Sequence, residues 1–321
     1  MRYGPADSSK TPRFTGVRTF MRLPFVETLD DVDVAVIGVP IDDAVSFKSG
    51  ARFGPEAIRS ASALLRPYNQ RLRVDVTEHL SMIDHGDLPT VPGYHERTLG
   101  LIQEHLEPVH RAGVVPLCLG GDHSMVLAEL RAAAAVHGQL ALVHLDAHAD
   151  IWESYYGARY FHGTVFKRAV EEGLVDAAAS VQAGMRGTLY GESDIEEPRR
   201  LGYDAIYWDE LEQLTPEAYG DRVRARVGDR PAFLSFDIDF VDPAFAPATG
   251  TPEVGGPSSG QALAYLRALH GIDFRGFDCV EVAPVYDQPA NITAWVAASA
   301  CHEMLSLRAL RSQRGAPHQQ L

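Results

Sequence analysis

The sequence predicts an α/β protein with three layers, α/β/α, around a mainly parallel central sheet. Apolar strand-like runs alternate with helix-like segments along the whole chain, the pattern of βαβ units. No internal repeat, low-complexity block or linker interrupts that alternation. Three strand-like runs end in acidic and imidazole clusters, and open parallel sheets collect ligands at the carboxyl ends of their strands. The 321 residues suit one unit spanning 1–321, with a surface-wrapping arm at 1–31 and a disordered tail at 312–321.

The elements follow in order. Val34 to Val39 reads as a buried strand stopped by Pro40. A loop from Asp42 to Gly54 draws backbone freedom from its glycines. Pro55 suits the first turn of a helix that turns Ala57, Ile58, Ala61 and Leu65 inward. Met82–Gly86 is a short strand and Pro89–Gly93 a loop. A helix from Tyr94 to Ala112 stops at Gly113. The strand Val114–Leu119 runs into Gly-Gly-Asp-His-Ser. A helix from Met125 to Val136 follows, with Asp122 or Ser124 as its cap. Leu140–Leu145 is a strand, Ile151–Gly163 an irregular aromatic stretch, and Thr164–Glu172 a helix. Ser180–Ala183 and Ile206–Trp208 are strands, Pro216–Val227 a helix and Phe233–Asp237 a strand. Gln261–Leu269 is a helix, Gly276–Val282 a strand, and a long helix from Ile292 to Arg311 closes the fold.

Composition narrows the function. A net charge of −14 disfavours nucleic acid and anionic membranes, which need a basic face. Three scattered cysteines without a C-x-x-C pair suit buried thiols in a reducing compartment. No secretory signal and no membrane-spanning run is visible, so the expected location is the cytoplasm.

The chemistry lies at the three strand ends. Asp146, His148 and Asp150 alternate along Asp-Ala-His-Ala-Asp, so an extended backbone points all three the same way. His123 lies in Gly-Gly-Asp-His-Ser, and Asp237 and Asp239 lead Asp-Ile-Asp-Phe-Val-Asp-Pro. Any one cluster reads equally well as a turn, because Asp and Pro are turn formers. Their coincidence points to a shared site, since so many carboxylates crowd one cleft only with cations to compensate them. Asp242, just before Pro243, is assigned to a turn. Four aspartates and two histidines exceed one tetrahedral zinc centre. They suit two divalent ions with bridging carboxylates, Mn²⁺ first and Ni²⁺ as an option. His144, inside an apolar strand, reads as core, and His85 as a loop residue.

These motifs resemble the ureohydrolase (arginase/agmatinase) family along most of the chain. The resemblance rests on Gly-Gly-Asp-His-Ser (120–124), Asp-Ala-His-Ala-Asp (146–150) and Ser-Phe-Asp-Ile-Asp-Phe-Val-Asp-Pro-Ala-Phe-Ala-Pro (235–247). Gly-Ala-Arg-Phe-Gly-Pro (50–55), His-Gly-Thr (162–164), Gly-Thr-Pro (250–252) and Glu-Val-Ala-Pro (281–284) add to it. It implies an arginase-like fold. It implies that His123, Asp146, Asp150 and Asp237 hold one Mn²⁺, and Asp146, His148, Asp237 and Asp239 the other. The implied reaction hydrolyses a guanidinium to urea and an amine, with hydroxide supplied by water between the ions and oriented by Asp150. His162 matches the family's proton shuttle and Glu281 the carboxylate that grips the guanidinium. As plain structure, His162 would cap the helix at Thr164 and Glu281 would form a strand-end ion pair. A homotrimer or homohexamer is implied as well.

The segment before His162 (Glu153-Ser154-Tyr155-Tyr156-Gly157-Ala158-Arg159-Tyr160-Phe161) lacks the Ser-Gly-Asn type of clamp by which arginases hold an α-amino acid. It looks more like the agmatinase and guanidino-acid amidinohydrolase branch. Trp152 and its aromatic neighbours offer a wall for a methylene chain, and Arg159 either a carboxylate partner or a surface ion pair. The expected substrate is a small cationic linear guanidino compound: agmatine, then 4-guanidinobutyrate or 3-guanidinopropionate. The alternatives are an arginase proper, an inactive metal-binding subunit of a heteromeric ureohydrolase, and a dinuclear phosphoesterase. The last lacks a visible cluster of cations for phosphate.

Overall fold

The computed structural model describes residues 2–315. Its centre is an eight-stranded sheet. The strands are β1 (Val34–Val39), β2 (Met82–Asp87), β3 (Val115–Gly120), β4 (Ala141–Leu145), β5 (Val181–Ala183), β6 (Asp204–Ile206), β7 (Ala232–Asp237) and β8 (Phe274–Val280). They lie in the order β2-β1-β3-β8-β7-β4-β5-β6, and every pairing is parallel. Strands β1, β3, β4 and β7 are buried along their whole length, which explains their near-continuous apolar runs.

Helices cover both faces. On one side α1 (Gly54–Ser62), α6 (Pro216–Val227), α7 (Ser259–Ala268) and α8 (Ile292–Gly315) pack together. On the other lie α2 (His95–Arg111), α3 (Val126–His137) and α4 (Val165–Glu171). Helix α5 (Ser193–Leu201) packs beside edge strand β6. Local chemistry sets several starts. Pro55 sits in the first turn of α1, Thr215 caps α6, and Ser258 with Gln261 forms a capping box for α7.

The predicted three-layer parallel architecture is the observed one, and several local readings need correction. The N-terminal arm does more than wrap the surface. Phe20, Met21 and Leu23 are buried in the core, because a short 3₁₀ turn at Phe20–Arg22 drives apolar side chains against the sheet. The strand expected at Ile206–Trp208 ends at Ile206, and Trp208 opens a short helix instead. Helix α5 is not foreseen in the sequence, because it is rich in charge and carries Pro198 in its interior, where proline disfavours a helix. The hairpin of Tyr68–Asn69 and Val74–Asp75 is not foreseen either, being two residues per strand. Ser312–Gly315 continue α8 rather than opening a disordered tail; the remainder of that predicted tail, 316–321, lies outside the described residues. His85 belongs to β2, its Nδ1 lying 3.1 Å from the Val26 carbonyl. Among the described residues no helix is long and apolar enough to cross a membrane.

The Asp84/Asp87 pair near His85 has a structural purpose. Arg59 of α1 reaches Asp84 with two nitrogens, at 2.8 and 3.0 Å, and also pairs with Asp87. Asp84 in turn accepts from the Phe20 amide at 2.7 Å, so one buried carboxylate ties the arm, α1 and β2 together. Burial opposes the Arg59 charge, but the two aspartates outweigh it and raise its pKa. Replacing Arg59 with Met keeps bulk yet strands Asp84, which is almost wholly buried. The variant is expected to lose about 3–5 kcal/mol of stability in urea denaturation. A loss below about 1 kcal/mol would show that the pair is not a tie.

Candidate metal centre

Four neighbouring strands deliver the site. β3 ends before His123, β8 before Glu281, β4 before Asp146, His148 and Asp150, and Asp237 closes β7 just ahead of Asp239. Sheet order places β8 and β7 between β3 and β4, so segments far apart in sequence meet at one edge. Close backbone approach makes this possible. A Cβ on Gly121 would lie 2.3 Å from the Ile41 carbonyl oxygen and 2.7 Å from that of Val39. Only glycine lets the chain turn there and present His123. Asp122 then accepts from Ser124 N at 2.9 Å and Ala44 N at 3.1 Å, capping the turn and tying down the 42–54 loop.

His123 is fully buried, and its Nδ1 has no hydrogen-bond partner. Yet carboxylate oxygens of Asp150, Asp146 and Asp237 stand 3.0, 3.2 and 3.4 Å from it. Four donors from three strand ends converging without hydrogen-bond geometry have the chemistry to hold a cation. Beside it, His148 Nδ1 lies 3.0 Å from Asp239 and 3.4 Å from Asp146. Asp146 thus spans both groups. The residues fit a pair of divalent ions, which the oxygen-rich donor set would hold. The charge balance agrees. Burial raises the Asp237 pKa well above the carboxylate range, with Asp239 and Asp146 adding to it. Asp239 is pushed up to about 6 by burial and Asp146. Burial opposes a charge on His123, and the surrounding carboxylates more than reverse it.

A layer of buried polar groups orients these donors. Ser235 Oγ lies 2.8 Å from His123 Nε2 and donates to Asp278. Gln182 donates to the Ala149 carbonyl at 2.7 Å and to His144 Nδ1 at 3.0 Å. With Nδ1 accepting, His144 Nε2 carries the proton and donates to Asp146 at 2.8 Å. His144 falls within one metal-sized group with His123 and Asp146, but both its nitrogens are engaged. The reading of His144 as a satisfied core residue was incomplete, because its partner is the shared carboxylate. The available signal was a lone polar residue inside an apolar strand, which His144, Gln182, Ser235 and Asp278 all share.

Two site residues occupy the left-handed region: Asp150 at φ 52° and Glu281 at φ 62°. Glu281 is buried. Its Oε1 accepts from His123 N at 2.9 Å and lies 3.1 Å from His162 Nδ1, and its Oε2 has no partner. His162 Nε2 accepts from Ser46 N at 3.1 Å and meets Ser46 Oγ at 2.8 Å, so Nδ1 carries the proton toward Glu281. Burial disfavours the imidazolium, but Glu281 outweighs it and raises the His162 pKa. His162 is not the helix cap, since Thr164 Oγ1 makes the bond to Phe161 N. Asp242 is the turn residue expected, accepting from Ala244, Gly255 and Gly256 amides.

A cavity of about 550 Å³ opens over the centre, lined at its floor by His148, Asp150, His162 and Asp237 and on one wall by Trp152. Arg159 is not among its lining residues. Its guanidinium pairs with Glu171 and lies 3.7 Å from Glu153 on the surface, so the expected carboxylate partner is corrected to a surface ion pair.

A family model described as the arginase family matches residues 32–306. The chain belongs to the arginase family. This arginase-family chain is 41% identical over 304 residues to the guanidinobutyrase of Pseudomonas aeruginosa, spanning 94% of this chain and 95% of that protein. It is 42% identical over 293 residues to an agmatinase of Neisseria meningitidis serogroup C, spanning 90% and 92%. The solved structure of proclavaminate amidinohydrolase from Streptomyces clavuligerus aligns with a TM-score of 0.90 at 41% identity, over 94% of this chain and all of that one.

The metal-free chain is expected to take up about two Mn²⁺ per subunit in elemental analysis. Asp237→Asn should hold fewer and lose most activity, because Asp237 stands within the donor set of His123 and beside Asp239. One ion or none in the reconstituted wild type contradicts the paired arrangement.

Proposed function

We propose that the chain hydrolyses a guanidino compound without an α-amino acid group to urea and an amine. The observation that carries this is Glu281 Oε2, a buried carboxylate oxygen without a partner, on a side chain whose other oxygen meets the cavity-lining His162. A guanidinium is the planar donor that suits it. The relatives are a guanidinobutyrase, an agmatinase and an amidinohydrolase by name, which supports the reading. All six residues implied as ligands are present, so nothing favours an inactive subunit.

Two divalent ions, which His123, Asp146, His148, Asp150, Asp237 and Asp239 would hold, would supply hydroxide at neutral pH by lowering the pKa of bound water. The Mn²⁺ assignment rests on the donor chemistry. The chain's own groups do the rest. Glu281 binds the guanidinium and fixes its plane. Asp150 orients the attacking group by accepting its hydrogen bond. His162, held by Glu281 at Nδ1, gains a proton at Nε2 and delivers it to the leaving amine. Trp152 walls the cavity against water.

His162→Ala is expected to keep both ions and lose about 10²-fold in kcat. Unchanged turnover would return His162 to a structural role.

The second expectation concerns the tail. No clamp for an α-carboxylate and α-amine is visible in the 153–161 segment, so L-arginine would bury those charges unpaired. Agmatine and 4-guanidinobutyrate should each exceed L-arginine by at least about 100-fold in kcat/KM. L-arginine equal to either would sink this reading.

The cytoplasm fits three free, buried cysteines. The resemblance also points to a homotrimer or homohexamer, and exposed Phe53, Val285 and Ile292 offer apolar surface for copies to cover. Light scattering at micromolar concentration should give a trimer or hexamer, and an active monomer would refute it.

A further inference from the structure

The cavity is larger than a guanidinium on a short chain requires. Its volume, about 550 Å³, belongs with pockets that enclose drug-sized ligands. The metal-facing floor takes up one end. The other end runs over the carboxyl ends of β5 and β6 to α5, and its wall includes Met185, Leu189, Ile195, Tyr207 and Trp208, continuous with Trp152.

Most charged groups of this outer wall are engaged, with one another or with backbone groups. Lys167 lies 2.8 Å from Glu153 and 3.4 Å from Glu197, and Arg200 pairs with the same Glu197. Asp194 accepts from the Tyr190 and Gly191 amides. Arg186 donates to the carbonyls of Gly184, Asp239 and Glu253. The wall therefore offers no waiting cation for a carboxylate, and its carboxylate without an ion pair or an amide partner, Asp209, lies at an exposed position where water weakens its pull on an amine. Its unsatisfied feature is apolar surface: Leu189 is 44% exposed and Ile195 41%. Apolar surface held in a concave wall gains by covering a ligand's hydrocarbon.

We propose that this outer half is an apolar subsite, and that the preferred substrate carries its guanidinium on a bulky hydrocarbon-bodied tail. The proposal rests on the reaction assigned above and adds the tail's chemistry to it. The head is set by Glu281 and the metal centre. The tail is set by area buried against Trp152, Ile195, Leu189 and Trp208, at about threefold to fourfold in kcat/KM for each added methylene until the chamber is filled.

The test is a series of methyl-, propyl- and hexylguanidine on the Mn²⁺-loaded full chain, with 4-guanidinobutyrate alongside. The expected result is a rise of about tenfold or more from propyl- to hexylguanidine. Ile195→Asp, which puts a charge in the apolar wall, should collapse that hexyl-to-propyl ratio, and Ile195→Trp, which fills the chamber, should do the same. Two variants guard against one that fails to fold. A series that is flat or falls with tail length overturns the proposal, and so does a ratio unchanged in both folded variants. If the wild type hydrolyses no guanidine at all, the assigned reaction fails separately. Hexylguanidine binding, followed by the fluorescence of Trp152 and Trp208, then decides the subsite: no change up to millimolar ligand overturns it.

Discussion

The structure depends on one electrostatic constraint. Asp146, Asp237 and Asp239 are buried side by side at the ends of adjacent strands, with Asp150 and two imidazoles completing the group. Carboxylates this close cannot all stay ionised in a dry setting without cations among them. The raised pKa values of Asp237 and Asp239 express that conflict in the protein alone. A pair of divalent ions resolves it, and the same ions are what a guanidinium, a poor electrophile, needs for hydrolysis.

Holding such a cluster requires a rigid floor. Gly121 N donates to the Val39 carbonyl of β1 at 3.0 Å, Asp122 reaches back to the Ala44 amide, and Asp42 accepts from the Gly50 amide at 2.7 Å while pairing with Arg52. The 42–54 loop is thereby fixed against the turn that bears His123. It also carries Ser46 to the His162 ring. Asp42 and Asp43 both pair with Arg52, which anchors the loop. Behind the donors, Ser235 with Asp278 and Gln182 with His144 orient His123 and Asp146. Partners of this kind typically matter 10- to 100-fold for metal affinity.

The two halves of the cavity obey different physics. At the floor the lining is charged, with His148, Asp150, His162 and Asp237 exposed to the cavity and Glu281 in contact with His162. Along the outer wall Lys167, Arg200, Glu153 and Glu197 pair with one another, Asp209 stays exposed, and apolar side chains supply much of the rest. A family whose members hydrolyse different guanidino compounds can keep the first half constant and vary the second, because the reacting bond lies only in the first.

The sequence by itself determined the layers, nearly every long element, and which acidic and imidazole side chains meet at the strand ends. Periodicity of two and of 3.6 residues is local, and alternation in Asp-Ala-His-Ala-Asp fixes which side chains share a face before any contact forms. It could not determine the strand order that seats β8 and β7 between β3 and β4, since parallel neighbours are joined by long crossovers. It left Arg159 open between a substrate carboxylate and a surface ion pair, because the two look alike along a chain and only the fold brings Glu171 to it. It read His144 as mere core because a buried polar residue's partner, here Gln182 on the next strand, is set by register. The arm's burial, through Phe20 and Asp84, escaped for the same reason. Tertiary structure decided everything that depends on two distant segments meeting, because the energy of such contacts lies in burial and hydrogen-bond geometry that neither segment carries alone.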